Sequence, residues 1–251
     1  MRETWIKEIK SHPVWSQKIS IIFVSAFSPY QRRGRYIKKS LMKESKNNED
    51  LLIFNQEDSY RLFTLKVLNY LHFVVENVEN FRKRWDKEEK VDPIIVKMTD
   101  DVVVYPRNFI NILKSIDNSR TSFGMGGEAR GFIYDFYRNP NHKHYVPYYI
   151  YSKAVIDGEY AAGICYFMSY SAAKQIFEYS KCLTALLFQD DAIITGFLRK
   201  KLGISLSHIE GIQHASTVYQ KNSTAVMHGY PSMRLIDQSI FWNSADKDPL
   251  E

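Results

Sequence analysis

Two pairs of adjacent aspartates and one histidine are the residues best suited to do chemistry in this 251-residue chain. The first pair, Asp100 and Asp101, follows the apolar run Ile94-Ile95-Val96-Lys97-Met98 and the hydroxyl of Thr99. A strand running into that triplet sets hard carboxylate oxygens beyond its carboxyl end. Open α/β sheets bind ligands there, and a diphosphate-bound magnesium or manganese ion is suited by such oxygens. Taken alone, such a pair is more often a strand-end turn than a metal site. The second pair, Asp190 and Asp191, follows Leu186-Leu187-Phe188-Gln189 and precedes a run with helical spacing. Carboxylates at that position cap a helix N-terminus, or serve as a general base that takes the proton of an attacking hydroxyl. His228 closes the apolar stretch Ala225-Val226-Met227, at an expected strand end, and imidazole is a competent manganese ligand. The other histidines, at 12, 72, 142, 144, 208 and 214, have no stronger metal-ligand spacing. Gly124-Met125-Gly126-Gly127 does not lie between a strand and a helix, so it is not a dinucleotide-binding loop.

The elements that must position these groups follow from periodicity. Ile19 to Phe27 is a nearly continuous apolar run, the pattern of a strand buried on both faces of a parallel sheet, and it makes the fold mixed α/β. Arg35 to Asn47 is expected to form a half-exposed helix and Asp50 to Phe54 a second strand. Between Ser59 and Val78 the apolar stripe predicts a long helix capped by Ser59. Ile94 to Met98 is the third strand, Phe109 to Ile116 a short helix, and Ser122 to Asn141 a hairpin or irregular segment. Tyr160 to Ser169 is a further apolar run. Helices are expected at Ser171 to Tyr179 and at Ala192 to Lys201, the latter capped by Gly203. With no internal repeat, low-complexity tract or proline-rich linker, one domain over residues 1–251 is expected.

An apolar content of 45% supports a substantial core and excludes a disordered chain. The net charge of +6 is spread among acids, with local basic enrichment only at Gln31 to Lys39 and Phe81 to Lys90, so solvated faces are expected rather than a nucleic-acid partner. Cys165 and Cys182 are too few for a disulfide framework, although one bridge between them is compatible with the sequence. Asn222-Ser223-Thr224 is a glycosylation sequon. No stretch reaches the length of a membrane span, and the N-terminus carries no signal-peptide core, so the chain as written reads as soluble.

Five motifs in order resemble the beta-1,3-galactosyltransferase family, which includes N-acetylglucosaminyltransferases and lies close to the Fringe enzymes. Arg2-Glu3-Thr4-Trp5 is similar to the start of that family's catalytic domain. Asp58 to Lys66 resembles its Asp-Ser-Tyr-x-Asn-Leu-Thr-x-Lys, with Leu62 at the asparagine position. Lys97 to Val104 resembles Lys-x-Asp-Asp-Asp-Val-Phe-Val, with Thr99 at the first acidic position. Tyr160 to Ser169 resembles Tyr-x-x-Gly-x-x-Tyr-x-x-Ser, and Asp190-Asp191 with Gly196 resembles Glu-Asp-Val followed by glycine.

The resemblance implies a glycosyltransferase A type fold, a Rossmann-like mixed sheet flanked by helices. It implies an inverting, metal-dependent hexosyltransferase that moves galactose or N-acetylglucosamine from a UDP-sugar to a glycan acceptor on a glycoprotein or glycolipid, in beta-1,3 linkage. Asp101 would bind Mn2+ or Mg2+, with His228 as second protein ligand. Asp100 and Thr99 would serve the nucleotide, and Asp191 would be the catalytic base. Gly163 would shape the donor and acceptor cleft, or simply allow close strand packing. Lys66 and Lys97 either face the diphosphate or bridge surface carboxylates, the simpler expectation. The family is membrane-anchored and works in the Golgi lumen, whereas this chain begins at Arg-Glu-Thr-Trp and would lack the anchor, stem and first strand. Thr99 and that missing strand motivate an alternative, a catalytically inactive relative that binds sugars or a partner. A metal-dependent phosphatase or nuclease built on the same acidic pairs lacks a further ligand cluster.

Overall fold

The computed structural model describes residues 1–27, 34–85, 92–130, 133–135, 137–142, 145–149, 155–183, 189–214 and 224–228. Helices α1 (Trp5–Ser11) and α2 (Trp15–Lys18) lead into β1 (Phe23–Ala26), α3 (Gly34–Asn48) and β2 (Leu51–Phe54). A 3-10 turn at Tyr60–Leu62 opens α4 (Phe63–Glu76), followed by α5 (Val78–Trp85), β3 (Ile94–Met98), β4 (Val102–Val104) and α6 (Pro106–Asn118). Then come β5 (Met125–Arg130), β6 (Ile133–Asp135), β7 (Val155–Asp157), β8 (Tyr160–Ser169) and α7 (Tyr170–Ser180). The described chain closes with α8 (Asp191–Leu198), wound as a π-helix and continued by one α turn at Arg199–Lys201, and with β9 (Leu206–His208), β10 (Ile212–His214) and β11 (Val226–His228). The architecture is mixed α/β, as the sequence implies.

The main sheet has the order β3-β8-β5-β9. β8 runs antiparallel to both β3 and β5, while β5 and β9 are parallel. A second sheet, β10-β11-β4, stands beside it, and β1 and β2 pair in parallel. Ten residues with almost no exposed side chain make β8 the centre of the main sheet. Tyr166 and Met168 pack with Leu71 of α4, Ile176 of α7 and Ile194 of α8. Phe167 and Cys165 pack on the opposite side with Trp5 and Ile6 of α1, Phe109 of α6 and the valines of β4. Burying a side chain such as Phe167 on this scale stabilises the fold by about 1.5–3 kcal/mol.

Several expectations are corrected by packing. The first strand is shorter than Ile19 to Phe27, and its residues are mostly half-buried, because β1 pairs only with β2 among the described residues. Ser59 makes no capping hydrogen bond, and the 3-10 turn intervenes before the α-helix begins at Phe63. α6 starts three residues early, with Pro106 at its first turn, where a missing N–H costs nothing. Ser122 to Asn141 is not a hairpin on itself. Its β5 lies inside the main sheet, where a Cβ on Gly124 would stand 2.9 Å from the Ser205 carbonyl oxygen and one on Gly127 2.8 Å from the Ala161 Cβ. Glycine there is required by close strand approach. Cys165 is buried and Cys182 exposed, and both are free thiols. Ser169 caps α7 by accepting the Ala172 N–H at 3.1 Å, and Gly203, with φ of +67°, ends the turn after α8. Among the described residues no helix is long and apolar enough to cross a membrane. Asn222 and Ser223 of the sequon, part of each basic run, and Leu186 to Phe188 lie outside the described residues.

Candidate functional site

The first acidic pair occupies the point where the chain leaves one sheet and enters another. β3 belongs to the main sheet, and its ladder to β8 extends one residue further through the Thr99 N–H, which donates to the Ile164 carbonyl at 3.1 Å. Asp100 and Asp101 then form a turn, and Val102 begins β4 in the second sheet. Asp100 is exposed, while Asp101 is half-buried with its Oδ1 shielded from solvent. The Thr99 hydroxyl is also shielded and meets no hydrogen-bond partner among the described residues. In the second sheet β4 pairs with β11 in a register that sets His228 opposite Val102, one residue past Asp101. Residues more than a hundred positions apart thus share one strand edge.

The second pair stands at the N-terminus of α8. Asp191 Oδ1 accepts the Ala192 N–H at 2.8 Å, but neither aspartate caps the helix: Asp190 stands at the cap position and its side chain makes no capping hydrogen bond. The carboxylate also takes a backbone hydrogen bond from Gly163 of β8. A Cβ at Gly163 would lie 3.2 Å from Asp191 Oδ2, so glycine there leaves room for the carboxylate. β8 bows in this stretch: Gly127 pairs with Tyr166 and Ala129 with Ala161, so one residue of β5 faces four of β8. Thr195 fastens α8 to the same strand, its hydroxyl bonding the Ala161 N–H, the Ala161 carbonyl and the Asp191 carbonyl.

Burial, and then the neighbouring Asp190 charge, push the Asp191 carboxyl up to about 6, against the opposing pull of the Ala192 N–H, Lys97 and Gly163. Asp190 is 5% exposed and lies under it, paired with Lys97 at 3.3 Å and accepting from the Tyr166 hydroxyl at 3.0 Å. Tyr60 and Tyr160 face the same carboxylate. Burial and the Asp191 charge raise both phenols, Tyr60 to about 12.

Both acidic pairs line one cleft of about 1870 Å3, where Thr99, Asp100 and Asp101 follow β3 and Gly163 lies on the adjoining strand β8 beside Asp190 and Asp191. Tyr60, Lys66, Arg130 and Tyr160 also line it.

The galactosyltransferase family model matches residues 1–210. The chain belongs to this family. Its relatives include the lactosylceramide 1,3-N-acetyl-beta-D-glucosaminyltransferase of Xenopus tropicalis, 26% identical over 81% of this chain and 50% of the relative. The rat enzyme of the same name is 26% identical over 92% of this chain and 58% of its own length. The UDP-GlcNAc:betaGal beta-1,3-N-acetylglucosaminyltransferase 7 of Mus musculus is 26% identical over 85% of this chain and 49% of its own. The chain thus spans about half the length of the relatives it matches.

Of the site residues expected from sequence, this galactosyltransferase-family chain brings Thr99, Asp100, Asp101 and Asp191 to one cleft. The backbone of His228 reaches the strand edge beside them, and its side chain lies outside the described residues. The expectation for Lys97 is corrected: it bridges a buried carboxylate, because β3 carries it inward beneath Asp190 rather than out to solvent. Lys66 does bind the exposed Asp58, at 2.8 Å. His12 and His208 act structurally, each accepting backbone N–H groups through Nδ1. Tyr60, Tyr160, Tyr166 and Arg130 were not singled out by spacing, although the three tyrosines fall inside the conserved-looking motifs, and that is the signal that could have marked them.

Proposed function

We propose that this chain is an inverting hexosyltransferase with a glycosyltransferase A type fold. It would transfer N-acetylglucosamine or galactose from a UDP-sugar to a glycan acceptor on a glycoprotein or glycolipid, forming a beta-1,3 linkage. One observation carries this reading: two acidic pairs 90 residues apart in the chain line a single cleft. One is suited to an anionic nucleotide and its cation, and the other ends in a carboxylate poised near neutrality. The whole chain would act as one domain, and it would work in the Golgi lumen, a reading that the family resemblance supports.

The donor set fits a manganese or magnesium ion. Asp101 offers a shielded carboxylate oxygen, and the strand register brings the backbone of His228 opposite Val102, the residue after it; carboxylate and imidazole are both groups that manganese accepts. The described side chains include no group of three ligands, so substrate oxygens and water would complete the shell. A bound ion would supply positive charge to the departing diphosphate. Asp100 and the Thr99 hydroxyl would hold the nucleotide. In the same cleft Asp191, held by the Ala192 and Gly163 N–H groups, takes the proton of the acceptor hydroxyl as that oxygen attacks the anomeric carbon. A single base suffices for inversion, because attack and departure occur on opposite faces.

Purified protein with manganese, an acceptor glycan and UDP-N-acetylglucosamine or UDP-galactose should release UDP. A folded chain that releases none with any donor overturns the assignment. Thr99, a hydroxyl where the family carries a carboxylate, favours the second reading, an inactive sugar- or partner-binding relative, which predicts no metal-dependent UDP binding by calorimetry.

A further inference from the structure

Lys97 is the feature that the reaction as outlined leaves without a task. It is 6% exposed, and a lysine that deep is costly unless a partner balances its charge. Its ammonium meets Asp190 Oδ2 at 3.3 Å, donates to the Gly163 carbonyl, and lies over the rings of Phe63 and Tyr166 at 5.1 and 5.3 Å. The two oxygens it joins belong to the two elements that hold Asp191: Asp190 is the residue before it, and Gly163 supplies one of its N–H donors. Tyr166 donates to the same Asp190 oxygen from β8. Asp190 therefore has its negative charge answered by two donors underneath, while Asp191, the less buried of the two, is held by the Ala192 and Gly163 N–H groups.

We propose that Lys97 and Asp190 form a buried positioning pair that fixes the Asp191 carboxylate in the cleft and decides that Asp191, not Asp190, exchanges a proton with the acceptor. This rests on Asp191 being the base. Two adjacent carboxylates would otherwise share one proton between them, and the base would be poorly defined. The groups that face this pair are Tyr60 and Tyr70 from the turn and helix around α4, Lys97 from β3, and Tyr160 and Tyr166 from β8. Arg130 and Glu128 of β5 act behind Tyr160. Lys97 is the cation among them that touches Asp190 directly.

The test compares Asp190→Asn and Lys97→Met with the unaltered chain by 13C NMR titration of the aspartate side-chain carboxyls, with Asp191→Asn to assign the signal. Asp190→Asn removes the neighbouring negative charge, so the Asp191 midpoint should move to lower pH. Lys97→Met removes the cation from the pair, so the first proton taken up by the two carboxylates should arrive at higher pH. Opposite displacements support the proposal; an unmoved Asp191 midpoint in Asp190→Asn, or shifts of one sign in both variants, overturns it. If Lys97→Met does not fold, Asp190→Asn decides alone, since asparagine still accepts from Lys97 and Tyr166. The titration needs no turnover. An Asp191→Asn protein that keeps full transferase activity would refute the base assignment, whereas an inactive Asp191→Asn with an unshifted Asp190→Asn would refute only the positioning pair.

Discussion

At the scale of single residues, Asp191 joins the requirements of a base to the cost of keeping one. Its carboxyl, raised to about 6 by burial and by Asp190, must be ionised to accept a proton, so transfer should fall as pH drops through about 6. A pH-rate profile of kcat with saturating donor measures this, and a profile flat down to pH 5 would contradict it. Asp191→Asn should lower kcat by about 10²–10⁴-fold while leaving UDP binding intact, read by calorimetry. The same substitution has a stability consequence. The folded-state value stands above that of an unfolded aspartate, about 3.9, so ionisation of Asp191 opposes folding. The penalty is absent below the unfolded value and complete above the folded one. Asp191→Asn should therefore melt several degrees higher than the unaltered chain at pH 7.5, with the gap closing toward pH 4.

Elements matter because the base and its surroundings come from separate ones. The bowed stretch of β8 presents Gly163 to α8, and Gly163→Ala would place a Cβ 3.2 Å from Asp191 Oδ2. Because that contact is a few tenths of an ångström too tight, the carboxylate must turn aside. Activity should drop tenfold or more with little change in melting temperature, measured on the same preparation. A different element carries the N-terminal motif. Arg2 binds Asp50 through Nε and Nη2, at 3.0 and 2.8 Å, and Glu44 at 2.8 Å, and it lies over the Phe23 ring at 4.4 Å. Burial would raise the Asp50 carboxyl, but Arg2 with Lys10 outweighs it and holds the group below the usual range. This stability is present above the ordinary aspartate value and is lost as pH falls through the depressed one. Arg2→Ala leaves a buried carboxylate with only Lys10 nearby; because the guanidinium is partly exposed, the expected loss is about 2 kcal/mol by denaturant unfolding, less than for a fully buried pair.

Across the whole molecule the site exists only because two sheets meet. Asp101 turns the chain from the main sheet into β4, and β11 returns His228 to its side from the far end of the described chain. UDP should accordingly raise the melting temperature only when manganese is present, and EDTA or Asp101→Ala should abolish that increase, in a thermal-shift experiment. The sequence by itself determined the family, through five ordered motifs whose resemblance the family model over residues 1–210 bears out, and it located β3, α7 and the four cleft residues Thr99, Asp100, Asp101 and Asp191. Those are local signals: apolar runs that end in charge, and a helix-ending glycine such as Gly203. Tertiary structure alone decided that glycine-rich β5 is an interior strand, because β8 and β9 pair on its two edges and Gly127 answers to Ala161 of β8. It likewise decided that Lys97 points inward. A lysine's charge predicts solvent, and only the buried Asp190 and the Gly163 carbonyl, 93 and 66 residues away in the chain, explain why it stays inside.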